Sequence, residues 1–589
     1  MHPSALLRSL PALVLAALLV ACGGGSGGSS TDPPPAQTSE PPASRDEAAR
    51  FLAQATFGPT DADVDRVMAL GYAGWIDEQF ATPAAGRHRA HWEARDAEIK
   101  AATPTSSAGQ DQFFESFWKQ ALTGPDQLRQ RTAYALSQIF VISMVDGTVG
   151  NEPRAVAAWL DMLGEKGFGN YRDLLESVSR HPMMGVYLSH LRNQKANART
   201  GRVPDENYAR EVMQLFSIGL VELNEDGSAR TGGGGAAIET YGPSDISGLA
   251  MVFTGWSWAC PDWPDNGCFS SGSVGGVSDP DRSFKSMLGY AQYHSTEAKT
   301  FLGTTIAAQT QGDPDASLKA ALDAIAAHPN VGPFIGRQLI QRFVTSNPSP
   351  GYVTAVARAF ANNGTGVRGD MKAVIKAILL HPEARQASDT SGKLREPVLR
   401  LSAFLRAFPH TSDTGWYRVG NTDNPASSLG QSPLRAPSVF NFYRPGFVAP
   451  GTQSAARGLV APELQIVSES SVAGYVNFMR DNIASGVGAS NGTVNGVVLN
   501  RRDLRPDYSA ELALATDPAA LVERVTSRLT YGAAGAALKG EIAAAVGAIA
   551  VPALNSSGSN QAQIDTAKRN RVNAAVLLTV AAPEFAVLK

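Results

Sequence analysis

From about residue 46 to the C-terminus, apolar side chains return every three or four positions, and a chain patterned this way buries them by packing helix on helix. Such stripes run through Leu128, Leu136, Ile139 and Phe140, through Val331, Phe334, Ile335, Leu339 and Phe343, and through Leu394, Val398, Leu401 and Leu405. No series of evenly spaced alternating strands competes with them. The pattern predicts a mainly α fold, a large multi-helix body over 46–589. Length alone would allow about three or four domains or one large helical body. Phe51, Leu52 and Ala55 lead into Phe57-Gly58-Pro59-Thr60, where Gly can take a left-handed cap, Pro blocks continuation, and Thr60 with Asp63 starts the next helix. A hydrophobic content of 43% with 18% charged residues fits a packed globular body. The net charge of -3 gives no general electrostatic reason to bind nucleic acid, so no such partner is expected.

The segment 224–303 departs from the helical period. It holds a glycine run from Gly232 to Gly235, many Ser and Asp residues, and aromatics at Trp256, Trp258, Trp263 and Phe269. It reads as a long, irregular insertion with a short hairpin, and loops of this length inside a compact body tend to be functional or disordered. The glycines are not a phosphate loop, because no Lys-Ser or Lys-Thr follows them. Two of the chain's three cysteines, Cys260 and Cys268, flank seven residues rich in Pro, Asp, Asn and Gly. A disulfide closing that loop is expected, and it implies an oxidising compartment. The tryptophans could offer a sugar-stacking platform at Trp256 and Trp258, or could supply the loop's own small core.

The remaining cysteine belongs to the N-terminus. Arg8 precedes an apolar run from Leu10 to Ala21, long enough for a signal segment and too short to span a bilayer. Leu19-Val20-Ala21-Cys22 resembles the bacterial lipobox, which marks 1–21 as a lipoprotein signal peptide and Cys22 as the lipidated residue. The alternative is an ordinary secretory signal with an incidental cysteine. Residues 22–45 are dominated by Gly, Ser, Pro, Thr and Ala and form a tether that cannot build a core. Gly23 after the lipid site suggests, by resemblance to known lipoproteins, sorting to the outer membrane. The expected location is therefore an exported, lipid-anchored protein, on the periplasmic or the cell-surface face.

An internal echo runs through the body. Asp173 to Pro182, Met371 to Pro382 and Val572 to Pro583 each carry an apolar helix into His or a small residue and then Pro. His181-Pro182 and His381-Pro382 are expected to stop helices rather than hold a metal, since the residue before Pro is pushed out of the helical region. Six ordered segments then identify a resemblance. They are Phe51 to Thr60, Arg202 to Leu220, Phe253 to Trp256, Lys299 to Gly303, His328 to Phe334, and Pro437-Ser-Val-Phe-Asn-Phe-Tyr-Arg-Pro445. Together they resemble the bacterial family catalogued as domain of unknown function 1800, over about Asp46 to Lys589. The resemblance implies an exported, helical protein with an exported protein partner, and carries no catalytic residues. At His294-Ser295 the family pattern would have His-Asp, which weakens any metal site there.

The candidate site residues lie around Pro204 to Gly219. Pro204 and Asp205 should start a helix on which Tyr208, Val212, Leu215 and Gly219 share a face, with Asn207, Glu211 and Gln214 on the adjacent stripe. In one reading Glu206 pairs with Arg210 and Glu211 accepts hydrogen bonds from Arg192 or Asn193. In the other, Glu206 and Glu211 are catalytic carboxylates, Glu211 with a raised pKa, and a second acid such as Asp245 or Glu222 completes acid/base hydrolysis of a glycosidic bond. Arg192, Asn193, Asn207, Arg210, Trp256 and Trp258 would then bind substrate. Gly430-Gln-Ser432 lacks the second glycine of a nucleophile elbow, and Asn224-Glu-Asp226-Gly227 lacks the distal glutamate of a calcium loop. No cofactor or metal is expected. Two functions remain: binding or processing of an envelope polysaccharide at the 190–222 region, or a non-catalytic helical scaffold that docks an exported protein.

Overall fold

The computed structural model describes residues 41–386, 388, 390–490, 492–494 and 497–589. The expected signal peptide, Cys22 and the tether up to residue 40 lie outside the described residues. Among those described, about 52% of the structure is helical, in 25 α-helices, and the strands form only two-stranded antiparallel pairs. No described helix is long and apolar enough to cross a membrane. One continuous apolar core runs from Ala48 near the start of the body to Leu588 at its end.

The first helical corner forms through local chemistry. Ser44 caps the Arg45–Ala55 helix by accepting from the Glu47 N–H, and the chain turns at Gly58 with φ of 126°. A Cβ there would come within 2.7 Å of the Ala403 backbone, so only glycine fits. Thr60 and Asp63 then close a reciprocal capping box on the Asp61–Ala81 helix.

The His-Pro echo is a repeated structural unit. Tyr171–Arg180 and Met371–Leu380 are both ten-residue helices, and each runs into an extended histidine that also caps the next short helix. His181 Nδ1 accepts from the Met183 N–H and His381 Nδ1 from the Glu383 N–H, each at 3.2 Å. The third echo has the same shape with Ala582 in place of histidine, between the Gln561–Ala581 and Pro583–Ala586 helices. The first two units meet reciprocally: the Tyr171 N–H donates to Gly369 O at 2.8 Å and the Met371 N–H to Gly169 O at 3.0 Å. Upstream, Leu136-Ser-Gln-Ile-Phe-Val-Ile-Ser143 matches Leu339-Ile-Gln-Arg-Phe-Val-Thr-Ser346 in five of its eight positions. These ends of the Gln127–Ser137 and Val331–Phe343 helices also meet, the Arg131 guanidinium donating to Arg342 O and the Arg342 guanidinium to Gln138 O. The body thus contains two related helical units in face-to-face contact.

The 224–303 insertion holds the Cys260–Cys268 disulfide, with Cα atoms 5.7 Å apart. Its cysteines pack with Phe269 and Tyr290 in a small core of their own. The segment is more regular than its composition suggests. Besides the Ser273–Val274 and Val277–Ser278 hairpin it contains a ten-residue helix, Pro243–Val252, begun by Pro at its first turn and by Asp245 accepting from the Gly242 N–H. Ile246, Leu249, Ala250 and Val252 anchor that helix in the main core.

Candidate functional site

The acidic helix begins later than its sequence suggests. Asp205 is pinned in a reciprocal pair with Asn193, its N–H donating to Asn193 Oδ1 at 2.9 Å while Asn193 Nδ2 donates to Asp205 O at 3.2 Å. Its carboxylate accepts from the Asn207 N–H at 2.8 Å, and the helix spans Asn207–Gln214. Asn193 is consumed by this clamp, and the exposed Arg192 donates to Ser270 O at 3.1 Å. Neither bonds Glu211, which corrects the expectation that one of them would.

Glu211 is buried, and its Oε2 has no hydrogen-bond partner. Burial pushes its carboxyl above the usual range, against the pull of Arg210. Glu206 and Arg210 form the expected i,i+4 pair at 3.5 Å, both nearly half exposed, and Asn207 stands beside them on the surface. Of the acids named as a second carboxylate, Asp245 accepts from the Gly242 and Leu302 N–H groups and Glu222 is paired with Arg230 at 2.6 Å. Trp256 is buried in the main core with its Nε1 on Val252 O at 3.3 Å, so it presents no face to a substrate. Trp258 is half-buried, with the Arg282 guanidinium 5.5 Å over its ring. His294, far from acting as a ligand, is fully buried between Thr254 O at 2.8 Å and Ser317 Oγ at 2.9 Å. Among the described residues no group of three or more His, Cys, Asp or Glu side chains could hold a metal.

The cavity with the clearest chemistry begins where the acidic helix ends. Beyond Gln214 the chain winds wider, the Ile218 and Gly219 N–H groups both reaching Met213 O, and Gly219 turns with φ of 74°. A Cβ on Gly219 would sit 2.6 Å from the Phe334 ring, so glycine is what lets this turn lie against the Val331–Phe343 helix. The turn, that helix and the 439–446 loop enclose about 440 Å³. Leu215, Leu220, Val221, Leu223, Pro333, Phe334, Val439, Phe440 and Pro445 supply apolar wall, and Gln138, Gln214, Gln338, Gln341, Arg337, Arg342 and Arg444 the polar groups. No Asp, Glu or His lines it.

Behind this wall lies a buried charge network. Glu396 is fully buried and its Oε2 accepts from Gln138 Nε2 at 2.5 Å, Gln431 Nε2 at 2.6 Å and the Tyr443 hydroxyl at 2.9 Å. Lys393 donates to Gln341 O and Arg342 O and pairs with Glu463 at 3.1 Å, both side chains almost wholly buried. Burial pushes the Glu396 carboxyl up, but Lys393, Arg131 and Arg342 together hold it below the ordinary carboxylate range. Gln138 and Arg342 belong to both cavity and network. Gln138 Oε1, Gln341 Oε1 and Gln338 Nε2 are buried with no bonding partner. Such orphaned groups are uncommon in native structures and call for an explanation.

Three of the six segments by which the chain was identified furnish the cavity: Gln214 to Leu220, Pro333 with Phe334, and Val439 to Pro445. The family model described as "Protein of unknown function (DUF1800)" matches residues 50–587. The chain belongs to this family. No curated protein and no solved structure matches it. Within this DUF1800 chain, none of Glu206, Glu211, Arg192, Asn193, Asn207, Arg210, Trp256 or Trp258 lines the cavity, although Gln214 to Val221 continue directly from that helix. The candidate residues and the cavity lining therefore occupy opposite ends of one segment. The signal that could have found the polar floor was the paired Leu-x-Gln-x-Phe-Val motif, since Gln138 and Gln341 both face the cavity.

Proposed function

We propose that this protein is an exported binding protein that docks an exported partner in the cavity beside Gln214 to Leu223, without hydrolysing it, while a lipid on Cys22 holds it to the outer membrane. The observation that carries this reading is the convergence of three of the segments that carry the resemblance on one preformed, largely apolar cavity with no carboxylate in its lining. Pockets that combine apolar walls with a few converging polar groups are the common form of binding site. Glycoside hydrolysis needs two carboxyl groups facing the scissile bond. Glu206 and Glu211 lie outside this lining, and Asp245 and Glu222 are engaged elsewhere. The Cys260–Cys268 disulfide fits an oxidising compartment, in keeping with export.

The test places a photoreactive residue at Leu220, 57% exposed at the cavity, and at Leu554, 59% exposed elsewhere, in cells that make the full chain. Capture predicts a discrete cross-linked protein from Leu220 and none from Leu554. Release of reducing sugar from envelope polysaccharide, abolished by Glu206→Gln or Glu211→Gln, would replace capture with hydrolysis.

A further inference from the structure

Resting on the capture reading, we propose that the docked segment is a stretch of polypeptide presenting a carboxylate beside a large apolar side chain, the carboxylate bound by Arg337 and Arg444. Charge is the first argument. Three guanidinium groups, those of Arg337, Arg342 and Arg444, line about 440 Å³ of cavity that contains no acidic lining residue. Elsewhere among the described residues some exposed arginines are paired, as Arg66 is with Glu78, Arg501 with Asp413 and Arg358 with Glu225, and others, such as Arg199 and Arg457, are not, but these three share one apolar-walled cavity whose lining holds no acid. Among the described residues, no carboxylate lies within 4 Å of any of the three cavity arginines. Arg342 is buried and turned into the network, its guanidinium 4.7 Å over the Tyr443 ring. Arg337 and Arg444 are exposed at the wall, and Arg444 is steadied by stacking 4.5 Å over Phe440. Guanidinium groups held this way match the two oxygens of a carboxylate in geometry as well as charge.

Shape and hydrogen bonding select the class of macromolecule. The walls from Phe334, Phe440, Val221 and Val439 offer an apolar group far more contact than polar surface. Gln214, Gln338 and Gln341 bring side-chain amides to the lining, groups that pair with a backbone N–H or C=O. A peptide brings all the complements at once: an apolar side chain, backbone N–H and C=O groups, and an acid. A uronate-bearing saccharide brings the acid and hydroxyls but no large apolar group, and leaves most of the wall without a partner.

The experiment uses the full chain and N-acetyl-Leu-Phe as the free acid and as its C-terminal amide, read by calorimetry or saturation-transfer NMR. The free acid is expected to bind at least about ten-fold more tightly than the amide at low salt, with the advantage shrinking as salt screens it. Arg337→Ala with Arg444→Ala should bring the acid down to the amide's affinity, and both positions are exposed, so the variant should keep the wild-type melting temperature. Equal binding of acid and amide to the wild-type chain would overturn the carboxylate assignment. Binding of tri-galacturonate where neither peptide binds would overturn the polypeptide assignment. Failure of all three ligands alongside a positive cross-link at Leu220 would overturn this inference and leave capture standing.

Discussion

Three histidines buried as neutral rings make the stability of this protein fall as the pH drops below the range where an unfolded chain begins to protonate them. His181, His190 and His294 are at most 5% exposed, and burial lowers their pKa values to about 3, about 4 and about 4. The hydrogen bonds explain why protonation is refused. His181 Nδ1 already accepts from the Met183 N–H, so a proton there would oppose a donor, and its Nε2 has no partner. His190 gives its Nε2 proton to Ser179 O at 2.8 Å and stacks 3.9 Å from the Tyr208 ring, leaving Nδ1 buried with nothing to receive a second proton. In the unfolded chain each would titrate near about 6.5. Between that pH and the depressed folded value the unfolded state binds more protons, so stability is full above about 6.5 and is lost as pH falls toward 4. Each histidine contributes a slope of up to about 1.4 kcal/mol per pH unit, so these three give up to about 4 kcal/mol per unit and roughly 5 kcal/mol between pH 6.5 and 5, to which His88, His328, His381 and His410, also lowered by burial, add. Glu211, whose pKa is raised, works the other way and offsets a small part of this. The assay is the denaturant midpoint of the full chain at half-unit steps from pH 7.5 to 5, for wild type and His190→Gln. Wild type should lose stability steeply below 6.5, and the variant should lose one histidine's share of the slope, up to about 1.4 kcal/mol per pH unit. A flat profile across that window, or a variant with the wild-type slope, refutes the assignment of these rings as neutral.

Five other variants test the remaining claims. Lys393→Met leaves Glu463 buried without its cation, and Glu396 with Arg131 and Arg342 alone, and should cost about 3 to 5 kcal/mol, with the Lys393→Met/Glu463→Leu double variant recovering much of it, as a melting series would show. Cys260→Ser with Cys268→Ser opens a loop of eight residues' separation and should cost roughly 2.5 kcal/mol, seen first as faster hydrogen exchange at Phe269 and Tyr290. Glu206→Gln removes a half-exposed helix pair and should change stability by no more than about 0.5 kcal/mol, whereas Glu211→Gln should hold or raise the melting temperature because an amide replaces an acid that burial disfavours; a loss of about 2 kcal/mol at Glu211 would show a buried ionic partnership instead.

The helical body was legible because its signals are local. The Thr60–Asp63 box, the His-Pro stops and the Cys260–Cys268 loop all depend on residues a few positions apart. The Pro243–Val252 helix was missed because exposed Ser244 and Ser247 and a buried Gly248, all poor helix formers, mask a buried stripe of Ile246, Leu249 and Val252. The cavity was illegible for a different reason. Its walls come from 138–139, 214–227, 333–342 and 439–446, and within each segment the lining residues look like an ordinary helix or loop face. The carboxylates of the acidic helix attracted attention because like charges near a core are conspicuous in one dimension. Three arginines on two separated segments are not.

The duplicated unit explains why an unneutralised polar site could arise here. In the register that pairs Gln138 with Gln341, Arg131 falls opposite Phe334, Tyr134 opposite Arg337, Ala135 opposite Gln338 and Ile139 opposite Arg342. Both helices present the same glutamine at the seam, but the faces around it have taken opposite roles. In the first unit Arg131 and Tyr134 are buried against the Glu396 network, while in the second Phe334, Arg337 and Gln338 line open space. Packing alone gives no reason to keep an orphaned amide at the second face, because replacing Gln338 with an apolar side chain would remove the cost of its unpaired Nε2. A partner that brings its own acid supplies a reason for the exposed Arg337 that packing does not, since the guanidinium then finds a carboxylate it lacks in the free protein. Filling the face to match its apolar surroundings, by Arg337→Leu with Gln338→Leu, should therefore preserve or raise stability while removing binding of the carboxylate ligand. Loss of stability on that exchange would mean that the polar face serves folding rather than recognition.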